Sequence, residues 1–225
     1  MATPIPFAAG PDQSPASHPV YLWERRRLGD NTEVIIRPIR PEDDAIELTF
    51  IRGLSRDSGY NRLLSARRLT AQEISRLTRI DYDREMAFVA ITGSGAQTRL
   101  LGVARYVRDE AGRGAEFGVV VADAWQRKGI GAMLLRALLG HARAAGIANM
   151  HGISLATNEA MRMLGRKLGF AQRADPQDAT VRLVEKALTP DAAGSNPGAA
   201  NDEWIAPRSS PLPHEPAEDC GKATI

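Results

Sequence analysis

The sequence predicts an α/β fold in which one mixed sheet (an α+β arrangement, partly antiparallel and partly parallel) is flanked by helices. Three short apolar segments at 86–92, 99–108 and 115–121 are joined by turns, which predicts antiparallel strands that follow one another. A helical repeat of apolar residues then runs from Ile130 to Ala142, and a further strand comes after it. Because a helix separates the two strands, we expect them to be parallel neighbours.

The remaining elements complete the order β-α-α-β-β-β-α-β-α-β. Residues 33–39 are rich in β-branched side chains and predict the first strand. Pro41 opens a helix whose first turn is acidic, as the positive helix end favours. Thr70 and Glu73 form a capping box that begins a short second helix. After the long helix, which Gly146 ends, we expect a strand at 150–155, a helix at 158–168 that Gly169 ends, and a last strand at 180–188.

Prolines and charges divide the chain into three regions. Eleven of the 14 prolines lie in residues 1–32 and 189–225, and neither segment has a sustained hydrophobic repeat. Residues 33–188 carry 24 basic and 18 acidic side chains, a net charge of +6, whereas residues 189–225 carry 2 and 6, a net charge of −4. We therefore expect a flexible N-terminal extension at 1–32, one folded domain at 33–188, and a disordered, acidic, proline-rich tail at 189–225.

The composition also argues against several classes of function. Cys220 is the single cysteine, which excludes an intrachain disulfide and a cysteine metal cluster, and no metal site is expected. Because the sequence shows no secretory signal and no run of about 20 apolar residues, we expect a cytoplasmic protein without a membrane partner. The 25 arginines and 4 lysines are scattered among acidic residues, which does not favour nucleic-acid binding. The sequence leaves the oligomeric state unknown.

The segment Gln126-Arg-Lys-Gly-Ile-Gly131 lies between a predicted strand and the long helix. Glycines there let a ligand approach the backbone closely, and the start of a helix offers free N–H groups to a phosphate. Arg127 and Lys128 add positive charge. The segment is not a P-loop, because no Gly-Lys-Ser/Thr follows, and a plain strand-to-helix turn explains it equally well from the loop alone.

The neighbouring segments resemble the GNAT superfamily of acyl-CoA-dependent N-acetyltransferases. Glu116-Phe-Gly-Val-Val-Val121 precedes the loop, and Asn158-Glu-Ala-Met and Lys167-Leu-Gly-Phe170 follow the long helix. Three further segments, at 35–43, 77–86 and 115–117, are similar to the GNAT domain of bacterial protein lysine acetyltransferases. The resemblance covers residues 33–188 and implies a GNAT-like acyl-CoA N-acyltransferase fold with acetyl-CoA as co-substrate.

The resemblance also implies a set of cofactor-binding residues. In the superfamily, the glycine loop binds the pyrophosphate of coenzyme A, the preceding strand binds the pantetheine arm through its backbone, and the asparagine contacts that arm. Asn158 is equally well placed to be the N-cap of its helix, and both roles are compatible. The implied set is Val119, Val120, Val121, Gln126, Arg127, Lys128, Gly129, Ile130, Gly131, Ala132 and Asn158.

Glu116 is the candidate general base. A lysine amine is mostly protonated at neutral pH, and a carboxylate, directly or through water, can take its proton as the nitrogen attacks a thioester. From the residues alone, a strand glutamate in a salt bridge is the commoner explanation, and the resemblance favours the catalytic one. Many superfamily members carry a tyrosine as general acid seven residues after the asparagine. Here that position is Gly165, so no general acid is assigned.

The other polar candidates are interpreted as structural. His141 and His151 have no partner at a spacing typical of metal ligands. Asp81, Asp83 and Glu85 lie near the expected substrate side and could attract a cationic amine, although solvated loop charges are the commoner explanation.

The resemblance therefore implies an N-acetyltransferase that transfers an acetyl group from acetyl-CoA to a primary amine, with a protein lysine side chain as the favoured acceptor. One alternative is an enzyme of the same fold that acts on a small-molecule amine. A second alternative is a non-catalytic acyl-CoA-binding regulatory module, against which the intact glycine loop and Glu116 argue.

Overall fold

The computed structural model of the protein describes residues 19, 22–63 and 70–188. Within these ranges, eight strands form one sheet in the order β1-β2-β3-β4-β5-β6-β8-β7. The strands are β1 (Glu24–Arg27), β2 (Glu33–Pro38), β3 (Glu85–Thr92), β4 (Arg99–Arg108), β5 (Gly114–Val121), β6 (Asn149–Leu155), β7 (Ala171–Ala174) and β8 (Val181–Ala187). The helices are α1 (Asp44–Gly53), α2 (Arg56–Leu63), α3 (Ala71–Thr78), α4 (Ile130–Ala144) and α5 (Glu159–Lys167).

The predicted mixed sheet is confirmed. Strands β3, β4 and β5 form the antiparallel meander, and α4 connects β5 to its parallel neighbour β6. The predicted capping box is also present: the Thr70 hydroxyl accepts a hydrogen bond from the Glu73 N–H (3.2 Å), and the Glu73 carboxylate accepts one from the Thr70 N–H (2.8 Å). No helix of the described ranges is long and apolar enough to cross a membrane.

Three elements differ from the prediction. Strand β1 lies inside the segment 1–32 that we expected to be a flexible extension, so the sheet begins before residue 33. Its sequence, Glu-Arg-Arg-Arg, has no apolar pattern, and its order comes from antiparallel pairing with β2. Helix α2 and strand β7 were also not predicted, since both are short and polar. The predicted acidic tail at 189–225 lies outside the described residues.

Successive side chains of each strand point to opposite faces of the sheet, which we call the back face and the front face. The back face packs against α4 in one buried cluster, with Phe88, Tyr106, Phe117, Leu134 and Met150 among its members. The front face packs against α1 in a second cluster that includes Phe50, Val89, Ile91, Val103 and Val120.

A buried ion pair holds the start of the front layer to the sheet. Arg37 of β2 donates two hydrogen bonds to Asp43, at 2.7 and 2.6 Å, and both residues are about 5% exposed or less. Asp43 also accepts from the backbone N–H of Arg40 (2.8 Å). The indole of Trp23 lies against the Arg40 guanidinium at 4.4 Å, which attaches the segment before β1 to the same cluster.

Strands β5 and β6 separate soon after they meet. Their parallel ladder contains three pairs, Gly114 with Asn149, Ala115 with Met150, and Glu116 with His151. Beyond Glu116, β5 continues beside β4 to Val121, and β6 continues beside β8 to Leu155. The two strands therefore open into a cleft whose first residues are Glu116 and His151.

Candidate active site

The glycine loop follows β5 through a short 3-10 turn at Asp123–Trp125 and leads directly into α4. Gly129 has φ of 89°, in the left-handed region that favours glycine, and its carbonyl accepts hydrogen bonds from the N–H groups of Ala132 (3.0 Å) and Met133 (3.1 Å). Within the described ranges, the N–H groups of residues 127–131 donate to no protein acceptor. This set of free donors at the start of a helix suits a phosphate group.

The second glycine of the loop allows close packing. A Cβ atom at Gly131 would lie 3.3 Å from the Leu164 side chain of α5 and 3.7 Å from the Val121 side chain of β5. Gly131 thus lets α4 and α5 approach each other at the mouth of the cleft. Glycine is therefore favoured at the two positions for different reasons: at Gly129 by the left-handed backbone conformation, and at Gly131 by the limited space for a side chain.

A polar network that the sequence did not reveal fixes the loop. Asp123 accepts hydrogen bonds from the Ser55 N–H (2.9 Å), the Ser55 hydroxyl (2.7 Å) and the Ser58 hydroxyl (2.8 Å). Burial opposes ionisation of Asp123, but these hydrogen bonds outweigh it and lower its pKa. Gln126 donates to the Ser58 hydroxyl (3.0 Å) and the Val121 carbonyl (3.1 Å). Because Ser55 and Ser58 lie far from the loop in sequence, no local motif could have indicated these contacts.

The charges of the loop are not equally available. Lys128 donates to Asp30 (2.8 Å) and lies 4.7 Å from the centre of the Trp125 ring. The hydrogen bond from Lys128 is the main reason that the pKa of Asp30 lies well below its usual value. Arg127 is exposed and makes no ion pair within the described part of the chain. Among the described residues, Arg127 is therefore the loop cation without a carboxylate partner, and Lys128 must leave Asp30 to contact an anion directly.

Asn158 caps α5, as the sequence suggested. Its side-chain oxygen accepts a hydrogen bond from the Met161 N–H (3.0 Å). Among the residues that the structure describes, the Asn158 amide nitrogen has no acceptor, so capping leaves that donor for a ligand. A Cβ atom at Gly165, on the same helix, would lie 2.5 Å from Nε2 at the end of the Gln172 side chain, so a larger residue there requires Gln172 to move. That amide donates to the Arg162 carbonyl (2.8 Å), a hydrogen bond that such a movement would break.

Glu116 belongs to a row of residues that crosses the front face. The strand registers pair Glu85 with Val107, Val107 with Glu116, Glu116 with His151, and His151 with Glu185. Directly paired residues point to the same face, and their neighbours Ala115 and Met150 are buried in the back cluster. We call these five residues, Glu85, Val107, Glu116, His151 and Glu185, the front row.

The front row is accessible at its centre. Glu116 is half-buried, His151 is exposed, and the next front-face residue of β5, Gly118, has no side chain to cover them. Val107 is 38% exposed, and Ile153, the next front-face residue of β6, is 40% exposed. The Glu116 carboxylate takes part in no ion pair within the described ranges, so the salt-bridge explanation for this glutamate finds no partner there.

The other polar residues separate into two groups. His141 is structural, as predicted: Nδ1 lies 2.9 Å from the Tyr106 hydroxyl, and burial lowers its pKa. Asp81 caps a turn by accepting from the N–H groups of Arg84 (2.8 Å) and Glu85 (3.2 Å). Glu85 is different, because burial raises its pKa and the register places it in the front row. His151, interpreted from sequence as structural, instead lies exposed beside Glu116.

The residues of the cleft fit coenzyme A. The free donors at 127–131 and the left-handed Gly129 form a cradle for a pyrophosphate, and the cleft beyond Glu116 opens beside the unpaired edge of β5. The described residues contain no group of three or more His, Cys, Asp or Glu side chains arranged to hold a metal ion.

Comparison with known proteins agrees with this geometry. The chain is 36% identical over 162 residues to acetyltransferase PA5475 from Pseudomonas aeruginosa, which covers 72% of this chain and 87% of that protein. It is 31% identical over 135 residues to acetyltransferase Pat from Mycolicibacterium smegmatis, covering 60% of this chain but 40% of that longer protein. The crystal structure of the GNAT domain of S. lividans PAT has the same fold, with a TM-score of 0.68, 24% identity, and coverage of 76% of this chain and 99% of that domain. The Acetyltransferase (GNAT) family matches residues 57–170, and the chain belongs to that family.

Proposed function

As a GNAT family member the protein is an acyl-CoA-dependent N-acyltransferase, and we propose that it transfers acetyl groups from acetyl-CoA to protein lysine side chains. The observation that carries this proposal is the position of Glu116, an unpaired carboxylate within the described ranges, at the point where β5 and β6 separate. A base is needed where an amine meets the thioester, and this carboxylate lies at the closed end of the cleft, where the two strands part.

The loop and the cleft would hold the cofactor. The N–H groups of residues 127–131, with Arg127, would bind the pyrophosphate, and the β5 backbone at 119–121 and the Asn158 amide would bind the pantetheine arm. Gln126 would act by holding the loop against β5 and α2. When bound, acetyl-CoA supplies an activated thioester carbonyl.

Glu116 would prepare the acceptor. It takes a proton from the ammonium group or from the attacking nitrogen, so that the lone pair is free to form the new N–C bond. Holding the amine in the cleft converts a bimolecular encounter into a reaction between neighbours, which supplies much of the acceleration. No side chain is assigned as general acid, since Gly165 offers none and a thiolate is a good leaving group.

The front row favours a lysine side chain over a compact small amine. Val107 and Ile153 offer exposed apolar contacts for an aliphatic stem on either side of Glu116. Glu85, two strands from Glu116, adds a carboxylate that suits a cationic head group, whereas Glu185 is already paired with Arg173. A narrow pocket would be expected for a small amine, whereas this face is open at His151, Ile153 and Gly118.

The Glu116→Gln variant tests the proposal. We expect kcat to fall by about 10²–10⁴-fold, the usual contribution of a general base, while calorimetry gives an unchanged dissociation constant for acetyl-CoA. Glu110→Gln, in the exposed turn between β4 and β5, is the matched control and should keep full activity. Labelled acetyl-CoA offered with lysine-containing proteins and with a panel of small amines identifies the acceptor.

Three results would contradict the proposal in different ways. An unchanged kcat in Glu116→Gln would remove the assigned base. Faster transfer to a small amine than to any protein would replace the proposed acceptor. Tight acetyl-CoA binding without transfer to any acceptor would favour the non-catalytic regulatory module.

A further inference from the structure

His151 occupies a position that the reaction described above does not use. It is the last residue of β6 that pairs with β5, and its partner is Glu116. Paired residues of neighbouring strands lie about 5 Å apart at Cα, and both side chains are on the front face. Glu116 is half-buried, whereas His151 is exposed to solvent.

Two more charged residues continue the arrangement beyond His151. Glu185 of β8 is its register partner on the other side. Arg173 of β7 binds Glu185 through its guanidinium at 3.0 Å, which holds that carboxylate in place. The charged groups that face His151 from the adjoining strands are therefore Glu116, Glu185 and, through Glu185, Arg173. An imidazole between two carboxylates is oriented by one of them while it exchanges a proton with the other, as in other carboxylate–histidine pairs.

We propose that His151 accepts the proton that Glu116 takes from the amine and passes it to solvent, with Glu185 and Arg173 orienting the imidazole. His151 is thus a positioning and relay residue that acts through Glu116, and this role depends on the proposed function. The proton moves from the amine nitrogen to a Glu116 oxygen, then through one water molecule to a His151 nitrogen. From the imidazolium it leaves to bulk water, and both side chains return to their starting charge.

The chemistry of the two groups favours this direction. An imidazole is a stronger base than a carboxylate, so transfer from carboxylic acid to imidazole is downhill. A bound acceptor and cofactor would cover Glu116, which is already half-buried, and slow its direct exchange with solvent. The ring of His151 is exposed to solvent in the free chain, so it offers the proton a route to water.

The test compares His151→Gln with Asn149→Gln in the full chain. Asn149 is exposed on the same face of the same strand and has no part in the site, so its variant should keep wild-type kinetics. For His151→Gln we expect kcat to fall about tenfold, less than the roughly 10²–10⁴-fold contribution of the base itself, because water can still take the proton from Glu116. The dissociation constant for acetyl-CoA should be unchanged. Added imidazole should restore kcat of His151→Gln and leave the wild type unaffected, which a merely structural role of His151 would not produce.

A second measurement needs no activity. In the cofactor-free chain, the side-chain ¹⁵N chemical shifts of His151 should change in Glu116→Gln and Glu185→Gln but not in Asn149→Gln. Wild-type kcat in His151→Gln, a loss that imidazole does not restore, or unchanged ¹⁵N shifts would overturn the relay. Loss of activity in Glu116→Gln together with full activity in His151→Gln would retain the proposed function and reject the relay alone.

Discussion

The front face of the sheet is closed over β3 and open over β6. In β3, six consecutive residues from Met86 to Ile91 are buried, since α1 covers the front face of this half and α4 covers the back. In β6, exposed and buried residues alternate, and the exposed ones include His151 and Ile153. The two halves share one hydrogen-bonded sheet, so the difference lies in what covers them. Both faces of the sheet are covered in the closed half, and the candidate chemistry lies at the border with the open half.

The largest effect should come from breaking the ion pair of the closed half. Asp43→Ala leaves the Arg37 guanidinium buried without its carboxylate, and we expect a loss of about 3–5 kcal/mol in the free energy of unfolding. Arg25→Ala breaks an exposed pair with Glu33 in the same half and should cost about 1 kcal/mol or less. Urea unfolding of both variants measures the difference, and equal losses would show that burial of the pair is not what matters.

A pair of identical substitutions compares the two halves directly. Ile91 and Ile153 are both on the front face, but Ile91 is 7% exposed and Ile153 is 40% exposed. Ile91→Ala should destabilise the protein by about 2–5 kcal/mol, whereas Ile153→Ala should stay within about 0.5 kcal/mol. Ile153→Ala should instead raise KM for the amine acceptor, because a contact for its stem is lost. A large stability loss in Ile153→Ala would mean that the open half is covered in solution.

Binding of acetyl-CoA at the border between the halves is expected to depend on the glycine loop. Gly129→Ala forces a Cβ atom into the left-handed region, at a cost of about 1–2 kcal/mol, and a shift of the loop would weaken acetyl-CoA binding by about tenfold. Gly112→Ala imposes the same strain at φ of 69° in the turn between β4 and β5. We expect the control to lose stability while it keeps its acetyl-CoA affinity, as calorimetry can determine. Equal affinities in the two variants would argue against the loop as the pyrophosphate site.

The smallest effect concerns the ion pair between Lys128 and Asp30. Asp30→Asn releases Lys128, and we expect acetyl-CoA to bind about two- to fivefold more tightly at low salt, as is reasonable for an exposed pair. The gain should disappear at high salt, where such charges are screened. Lys128→Gln should have the opposite effect on affinity. Identical affinities of the wild type and Asp30→Asn at low salt would show that Lys128 stays outside the cofactor contacts.

The elements that the sequence predicted are those with strong local signals. The apolar meander, the long helix and the Thr70 capping box each depend on residues that are close in the chain, and each is present. Strand β1 could not be predicted, because its Glu-Arg-Arg-Arg sequence is stabilised by pairing with β2 and by nearby contacts such as that between Trp23 and Arg40. Helix α2 and strand β7 were not predicted either, because neither has an apolar repeat in its sequence.

The parts of the candidate site that belong to a sequence motif could be predicted. The glycine loop, Glu116 and Asn158 follow from a recognisable pattern, although their roles in binding and catalysis stay predictions. The network of Ser55, Ser58 and Asp123 joins segments that only folding brings together. The position of His151 beside Glu116 could not be predicted, because it comes from the register of β5 against β6, which the sequence does not specify.

The early separation of β5 and β6 places a free edge in the middle of a sheet. Interior strands normally satisfy their backbone groups on both sides, and unpaired edges are the usual sites of unwanted strand addition between molecules. Residues 117–121 have β4 on one side, while their ladder with β6 has already ended. Those of their amide protons that point away from β4 should therefore exchange with solvent faster than those of β3 in the free protein. A pantetheine arm bound here as proposed would slow that exchange, so the cofactor would also act as the missing strand.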